Sequence, residues 1–335
     1  MKTQLVAEIA QAHDGSLGIL HSYIDALSTT GVQTIKFQIH IADAESSEFE
    51  KFRIPFSYVD ASRKDYWKRM EFSKEQWILI KNHCEEKGME FLATPFSLAA
   101  VRLLEELQVK RYKIGSGDIS NLLLVDKIAE THKPIILSSG MSDWQELDRA
   151  VNYIRKLHNS ISIMQCTTAY PCPPEQIGLH LIQEIKNRYH CPVGFSDHSG
   201  SIFAGIAAVA LGATILEFHA VFDRRMFGPD SKASITIDEI KTLAEAISFV
   251  EKAFTLTNFK EASGNFEELK TMFGKSLVTN KSLSAGHTIT KDDLETMKPS
   301  GRGIPASDFE KLIERKLLIN KEQYEFINWS DIQNG

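Results

Sequence analysis

Short apolar runs recur eight times along this chain, at Leu5–Ala10, Thr34–Ile39, Met89–Pro95, Arg111–Ser116, Pro134–Gly140, Ile161–Thr167, Cys191–Asp197 and Ala213–Ala220. Most are separated by a stretch with helical periodicity. Strands that alternate regularly with helices predict a parallel sheet covered by helices, and eight of them predict a closed (β/α)8 TIM barrel. In such a barrel the chemistry sits where the carboxyl ends of the strands open, so the ends of these runs are where function is written. A barrel of this type uses about 250 residues, and the chain has 335. The remainder is large enough for one small additional module.

The helices carry their own punctuation. Ser73-x-x-Gln76, Ser142-x-x-Gln145 and Thr236-x-x-Glu239 read as capping boxes, the last opening a helix with Ile240, Leu243, Ile247, Val250 and Phe254 toward the sheet. Ser97 reads as a further cap, and the apolar stretch Ile202–Leu211 as a helix buried on more than one side. Loops after strands are short except Ala42–Met70, which is rich in aromatic and charged residues and reads as a lid or an interface. The barrel pattern stops near Phe254. We therefore expect a barrel over 1–255, a linker over 256–275 and a small turn-rich domain over 276–335, with short strands at Ser276–Asn280, Lys316–Asn320 and Tyr324–Ile327 and a helix at Ser307–Arg315.

Charge and cysteine content narrow the function. A formal charge of −6 argues against a general nucleic-acid binder. It leaves room for an anionic small substrate, because a few lysines can focus positive potential inside an acidic protein. Cys84, Cys166, Cys172 and Cys191 have no regular spacing and read as reduced cytosolic thiols. No apolar run has the length of a membrane span, and the N-terminus leads straight into a strand without a signal sequence. The expected location is the cytoplasm.

Alternation in a strand puts residues i and i+2 on one face. Glu217 and His219 therefore share a face, and a charged Glu is costly against an apolar helix layer, so both are expected inside the barrel. His198 ends the neighbouring strand. These two imidazoles either hold a divalent ion, with Asp230 within reach through water, or hydrogen-bond in a polar mouth. Lys36, Gln38 and His40 share a face of the second strand, and Lys113 lies in the fourth. Two lysines inside parallel strands suggest a phosphate or carboxylate to meet them. Hydroxyls crowd the same level at Thr94, Ser116, Ser138, Thr167, Thr168 and Ser196, and they suit phosphate oxygens. Glu8 is a carboxylate inside the first strand, suited to a substrate hydroxyl.

Taken in order, Ala7-Glu8-Ile9, Lys36-Phe37-Gln38, Thr94-Pro95-Phe96, Tyr112-Lys113-Ile114-Gly115-Ser116-Gly117, Leu137-Ser138-Ser139-Gly140-Met141, Cys166-Thr167-x-x-Tyr170-Pro171, Ser196-Asp197-His198, Glu217-x-His219 and Gly228-Pro229-Asp230 resemble the sialic acid synthase family. The likeness covers nearly the whole chain. It implies an enzyme that condenses phosphoenolpyruvate with N-acetylmannosamine or a related 2-acetamido sugar, and a C-terminal antifreeze-like (SAF) domain. Carried over residue by residue, it implies that Lys36, Thr94, Lys113, Ser116, Ser138, Thr168 and Ser196 bind phosphoenolpyruvate. His198 and His219 would hold a divalent ion, manganese first, with magnesium or cobalt as alternatives. Glu8, Gln38, Asp118, Tyr170, Asp230, Lys298 and Arg302 would face the sugar aldehyde, with Glu8, Glu217, Asp230 and Tyr170 as catalytic residues. A domain-swapped homodimer, without nucleic acid or membrane, is the implied assembly.

Four departures fall mainly on the sugar side. Ala10-Gln11-Ala12-His13 replaces a frequent Gly-x-Asn-His, Asp118 stands where Glu is common, Thr168 replaces an Asn, and Lys298 stands where the appended domain lends an Arg, with Arg302 close by. The alternatives are a related phosphoenolpyruvate-dependent enzyme acting on another sugar, one bearing a phosphate included, and a non-catalytic carbohydrate-binding homologue.

Overall fold

A computed structural model describes residues 2–255 and 263–333. Eight parallel strands close on themselves: β1 (Gln4–Glu8), β2 (Thr34–Ile39), β3 (Glu90–Pro95), β4 (Tyr112–Ile114), β5 (Ile135–Ser138), β6 (Ile161–Cys166), β7 (Val193–Asp197) and β8 (Ile215–Val221). Each pairs with the next, and β8 returns to β1 with Glu8 opposite His219. A two-residue strand, β9 (Ile235–Thr236), extends the pairing of β8 just before the last barrel helix, Ile237–Ala253. The architecture is the (β/α)8 barrel.

Strand alternation sorts the side chains into two cores. Outward-facing Leu5, Ala7, Ile35, Phe37, Phe91 and Ala93 pack under the helices. Inward-facing residues form layers. At the amino-terminal end Gln4, Thr34, Glu90 and Arg111 form a polar network, with Arg111 forked onto Glu90 at 2.8 Å through both nitrogens. Above it Val6, Leu92, Ile136, Met164 and Ile215 make a dry apolar plug. Gly194 lets β7 take part in that layer, because a Cβ there would sit 2.9 Å from the Ile215 carbonyl oxygen and 3.0 Å from Met164 Cε. The next inward positions along the strands are polar, and they form the floor of the open mouth.

Several local expectations need correction. The helix Trp144–Arg155 is capped by Asp143, whose carboxylate accepts from the Glu146 N–H at 2.8 Å while the Glu146 carboxylate accepts from the Asp143 N–H at 3.1 Å, and the Ser142 hydroxyl donates to the Ser139 carbonyl at 2.8 Å. Phe254 is 66% exposed rather than turned to the sheet. In the helix Phe203–Ala210 only one face is buried, and Phe203 is exposed. The segment after β2 is built rather than loose: short helices Ala42–Glu45 and Arg63–Met70 pack Ala42, Tyr66, Trp67 and Met70 together, with Phe52 and Phe56 against them.

The chain divides into two compact units, 1–255 and 256–335. Of the expected linker, residues 256–262 lie outside the described residues, and Glu267–Phe273 is helical. The second unit has its own core of Leu277, Leu283, Ile289, Ile304, Leu312, Leu317, Ile327 and Ile332. Its only ladder among the described residues joins β10 (Ser276–Thr279) to β11 (Leu294–Met297), antiparallel. The expected strands at 316–320 and 324–327 make single bridges instead, and the expected helix is a 3₁₀ stretch, Ala306–Lys311. Lys321, 4% exposed, ties this unit together through Asp331 at 2.8 Å and Glu325 at 3.1 Å. No helix among the described residues is long and apolar enough to cross a membrane.

Candidate active site

The carboxyl ends of the strands enclose two adjoining cavities. The deeper one, about 240 Å³, is lined by Lys36, Thr94, Lys113, Ser138, Ser196 and Glu217 among others. Both lysines point inward, as do Glu217 and His219. Lys113 Nζ lies 3.0 Å from Glu217 Oε1, and Lys36 Nζ lies 3.4 Å from the same oxygen and pairs with Glu8 on its other side. Ser196 donates to that Glu217 oxygen at 3.0 Å. All five residues are almost wholly buried.

Electrostatics follow from this packing. Burial pushes the Lys36 ammonium down to about 8, against the pull of Glu217. Burial alone would raise Glu217, but the Lys113 and Lys36 ammoniums beside it hold its carboxyl well below the usual carboxylate range. The Thr94 and Ser138 hydroxyls are buried, line this cavity and have no hydrogen-bond partner among the described residues. Buried unpaired hydroxyls are costly unless a ligand completes them. Ser116 and Gly140 close one wall, with the Gly140 N–H donating to Ser116 Oγ at 3.2 Å. A side chain at 140 would collide with that oxygen, since a Cβ would stand 2.8 Å from it. Thr168 lines the same cavity, exposed, while Thr167 turns inward to His198.

The two histidines meet at the junction of the cavities, ring centroids 5.0 Å apart. The His198 Nδ1–H donates to the Thr167 carbonyl at 2.8 Å, which assigns the tautomer and leaves Nε2 to accept from the Tyr170 hydroxyl at 2.8 Å. His219 Nδ1 is 3.8 Å from Asp230 Oδ2. Burial drives His198 down to about 4, and burial together with the neighbouring His198 holds His219 well below the usual imidazole range, so both are neutral. Neutral imidazoles, one oriented by a backbone carbonyl, suit a divalent ion. Among the described residues no group of three or more His, Cys, Asp or Glu is placed to hold a metal ion, and these two imidazoles are the candidate ligands.

The outer cavity, about 520 Å³, is lined by Gln38, Asp118, Tyr170, His219 and Asp230, and also by residues the sequence did not single out for the site, chiefly Arg53, Arg63, Glu45 and Glu50. Burial raises Asp118, Asp230 and Tyr170. His40 is clamped between Trp67 and Phe96 at centroid distances of 3.8 and 4.7 Å, with Glu45 Oε1 2.7 Å from its Nδ1. Gln38 accepts from Gln11 and faces His40 Nε2 at 3.1 Å. Glu8 lines neither cavity: its carboxylate accepts from the Ala10 N–H at 3.0 Å and is committed to Lys36. Lys298 and Arg302 belong to the second unit, where Lys298 lies over the Phe273 ring at 5.0 Å. The missed residues come from the long segment after β2, whose charges alternate without a period that would mark which side chain enters a cavity.

The NeuB family matches residues 23–258. The N,N'-diacetyllegionaminic acid synthase of Campylobacter jejuni is 33% identical, over 97% of this chain and 99% of that protein. The human N-acetylneuraminate-9-phosphate synthase is 30% identical, over 95% and 89% respectively. Among solved structures, the N-acetylneuraminic acid synthetase of Leptospira borgpetersenii superposes with a TM-score of 0.72 at 28% identity, covering 81% of this chain and 91% of that one.

Proposed function

This chain belongs to the NeuB family, and on that premise we propose that it is a nonulosonic acid synthase, joining phosphoenolpyruvate to the open aldehyde of a 2-acetamido sugar. N-acetylmannosamine or a diacetamido relative is the acceptor class. The observation that carries the reading is the inner cavity, where two buried lysines and two unpartnered hydroxyls stand beside a pair of neutral imidazoles.

Each group has a task. Lys36 and Lys113 hold the phosphate and carboxylate of the enol, and the Thr94 and Ser138 hydroxyls donate to phosphate oxygens, with Ser116 and Thr168 at the rim of that site and Ser196 in its floor beside Glu217. Attack of the enol methylene on the aldehyde forms the new carbon–carbon bond and leaves positive charge at the enol C2. Glu217, kept ionised by its lysines, is the carboxylate placed to stabilise that charge. Water adds to C2 and the C2–O bond to phosphate breaks, so that inorganic phosphate leaves as the ketone forms; of the two protons of that water, one ends on the former aldehyde oxygen as the new hydroxyl and the other on the departing phosphate. Tyr170, Asp230, Gln38 and Asp118 hold the sugar in the outer cavity. Glu8 acts through Lys36, whose ammonium it positions. Held by His198 and His219, a divalent ion would supply Lewis acidity to the aldehyde oxygen, and we assign manganese, with magnesium or cobalt as alternatives.

The remaining features of the reading rest on family likeness. The second unit is an antifreeze-like domain, the assembly is a homodimer in which Lys298 or Arg302 of one copy serves the sugar site of the other, and the reaction runs in the cytoplasm, where phosphoenolpyruvate is made. The test is phosphate release from phosphoenolpyruvate across a panel of 2-acetamido sugars, with and without chelator. Release that depends on both one of these sugars and a divalent ion is expected. Release with no sugar of the panel, or undiminished release after chelation, overturns the reading.

A further inference from the structure

The two ammoniums of the inner cavity, Lys36 and Lys113, meet two carboxylates, Glu217 within the cavity and Glu8 buried behind Lys36. These fixed charges cancel. A phosphoenolpyruvate molecule bears up to three negative charges, so these four residues give it donors but no net attraction. Burying such an anion without a compensating cation is expensive.

The segment after β2 supplies three arginines near the mouth, and two of them are engaged. Arg69 is forked onto Asp60 at 2.8 and 2.9 Å and also meets Asp14. Arg63 lies over the Trp67 ring at 4.1 Å and pairs with Glu50 at 3.5 Å. Arg53 differs from both. Its guanidinium stands 4.9 Å from the Tyr170 ring centroid, it lines both cavities, and among the described residues it has no carboxylate within ion-pair distance. Its neighbour Phe52 packs edge-on against Phe56 and Tyr66, at centroid distances of 5.6 and 6.2 Å, so the backbone that carries the guanidinium is anchored, while the charge acts on Asp230 across the mouth without forming an ion pair among the described residues. An exposed arginine held over an aromatic ring beside a charge-balanced cavity is a cation waiting for an anion.

We propose that Arg53 is a ligand of phosphoenolpyruvate, the guanidinium that clasps the anionic end facing the mouth and gives the inner site its net positive charge. The proposal rests on the synthase reading above. Arg suits the task because its planar fork meets a carboxylate or phosphate through two parallel hydrogen bonds. Stacking on Tyr170, which also donates to His198, places that fork at the junction where the enol and the aldehyde would meet.

Calorimetric titration of the metal-free full-length protein with phosphoenolpyruvate alone tests this without any choice of sugar or metal. Arg53→Ala is expected to weaken binding about tenfold or more, and Arg53→Lys to recover part of the loss because it restores charge but not the fork. In steady state with N-acetylmannosamine and manganese, KM for phosphoenolpyruvate is expected to rise while KM for the sugar stays within about twofold of wild type. An arginine that merely props Tyr170 would shift kcat and the sugar KM and leave phosphoenolpyruvate affinity unmoved, and that outcome overturns the proposal. A wild-type protein that neither binds phosphoenolpyruvate nor releases phosphate from it would instead remove the synthase reading itself, so the two failures are distinguishable.

Discussion

Lys36 is the side chain on which binding and stability pull in opposite directions. Its ammonium is buried and its ionisation lies near 8, below the ordinary lysine value of 10.5, chiefly because burial disfavours the charge. Phosphoenolpyruvate needs the charged form. Raising the pH through 8 should therefore weaken substrate binding, and kcat/KM for phosphoenolpyruvate should fall with an apparent ionisation near that value. The sign for folding is reversed. Between about 8 and 10.5 the unfolded chain binds the proton that the folded one has released, so this group alone makes the fold more stable as pH rises. Lys36→Met should remove both effects: the alkaline limb should vanish, and phosphoenolpyruvate affinity should drop by an order of magnitude or more. An unchanged limb in that variant would assign the ionisation elsewhere. The site residues on the strands could be read in the sequence for one reason. Each is a polar side chain at an inward position next to apolar outward ones, as Lys36 is between Ile35 and Phe37 and Glu217 is between Leu216 and Phe218, whereas Asp118, Tyr170 and Asp230 lie beyond strand ends and entered through the family resemblance. Arg53 has no such background, because its segment has no alternation to violate.

The same contrast governs the helices and strands. Eight strands were legible because burial on both faces writes continuous apolar runs, and closure follows from their number. Caps are harder to place, because two overlapping patterns can compete for one helix start. Ser142-x-x-Gln145 and Asp143-x-x-Glu146 differ by a single residue, and both fit the capping rule. The Ser139 carbonyl decides between them by taking the Ser142 hydroxyl, a contact made by the tight turn after β5 that the capping pattern itself does not encode. Asp143→Ala should accordingly cost about 1 kcal/mol of barrel stability, and Ser142→Ala should stay within about 0.5 kcal/mol. Chemical denaturation of the two variants checks this, and equal losses would return the cap to Ser142. Phe254 illustrates the other kind of difference. Its spacing continues the stripe of Ile240, Leu243 and Ile247, but the helix ends at Ala253 and leaves the ring in solvent. Periodicity specifies a face and is silent on where the face stops.

The protein as a whole is two hydrophobic cores on one chain. The barrel buries its plug and its helix-facing layer within residues 1–255, and the second unit buries Leu277, Ile289, Ile304 and Ile327 among its own neighbours. Units with separate cores can fold separately, and every residue assigned above to phosphoenolpyruvate lies in the first. A chain ended after Lys275 should therefore fold, keep a cooperative thermal transition and bind phosphoenolpyruvate with the affinity of the full protein. Its turnover should nevertheless be lost if Lys298 or Arg302 serves the sugar site, because the aldehyde would then lack the cation that holds it. The two measurements separate the possibilities. Full turnover in the shortened chain would free the second unit from catalysis and leave the barrel as the complete enzyme. Loss of phosphoenolpyruvate binding would show that the inner cavity depends on more than the barrel that encloses it. Retained binding with lost condensation is the outcome the division of labour between the two cores requires.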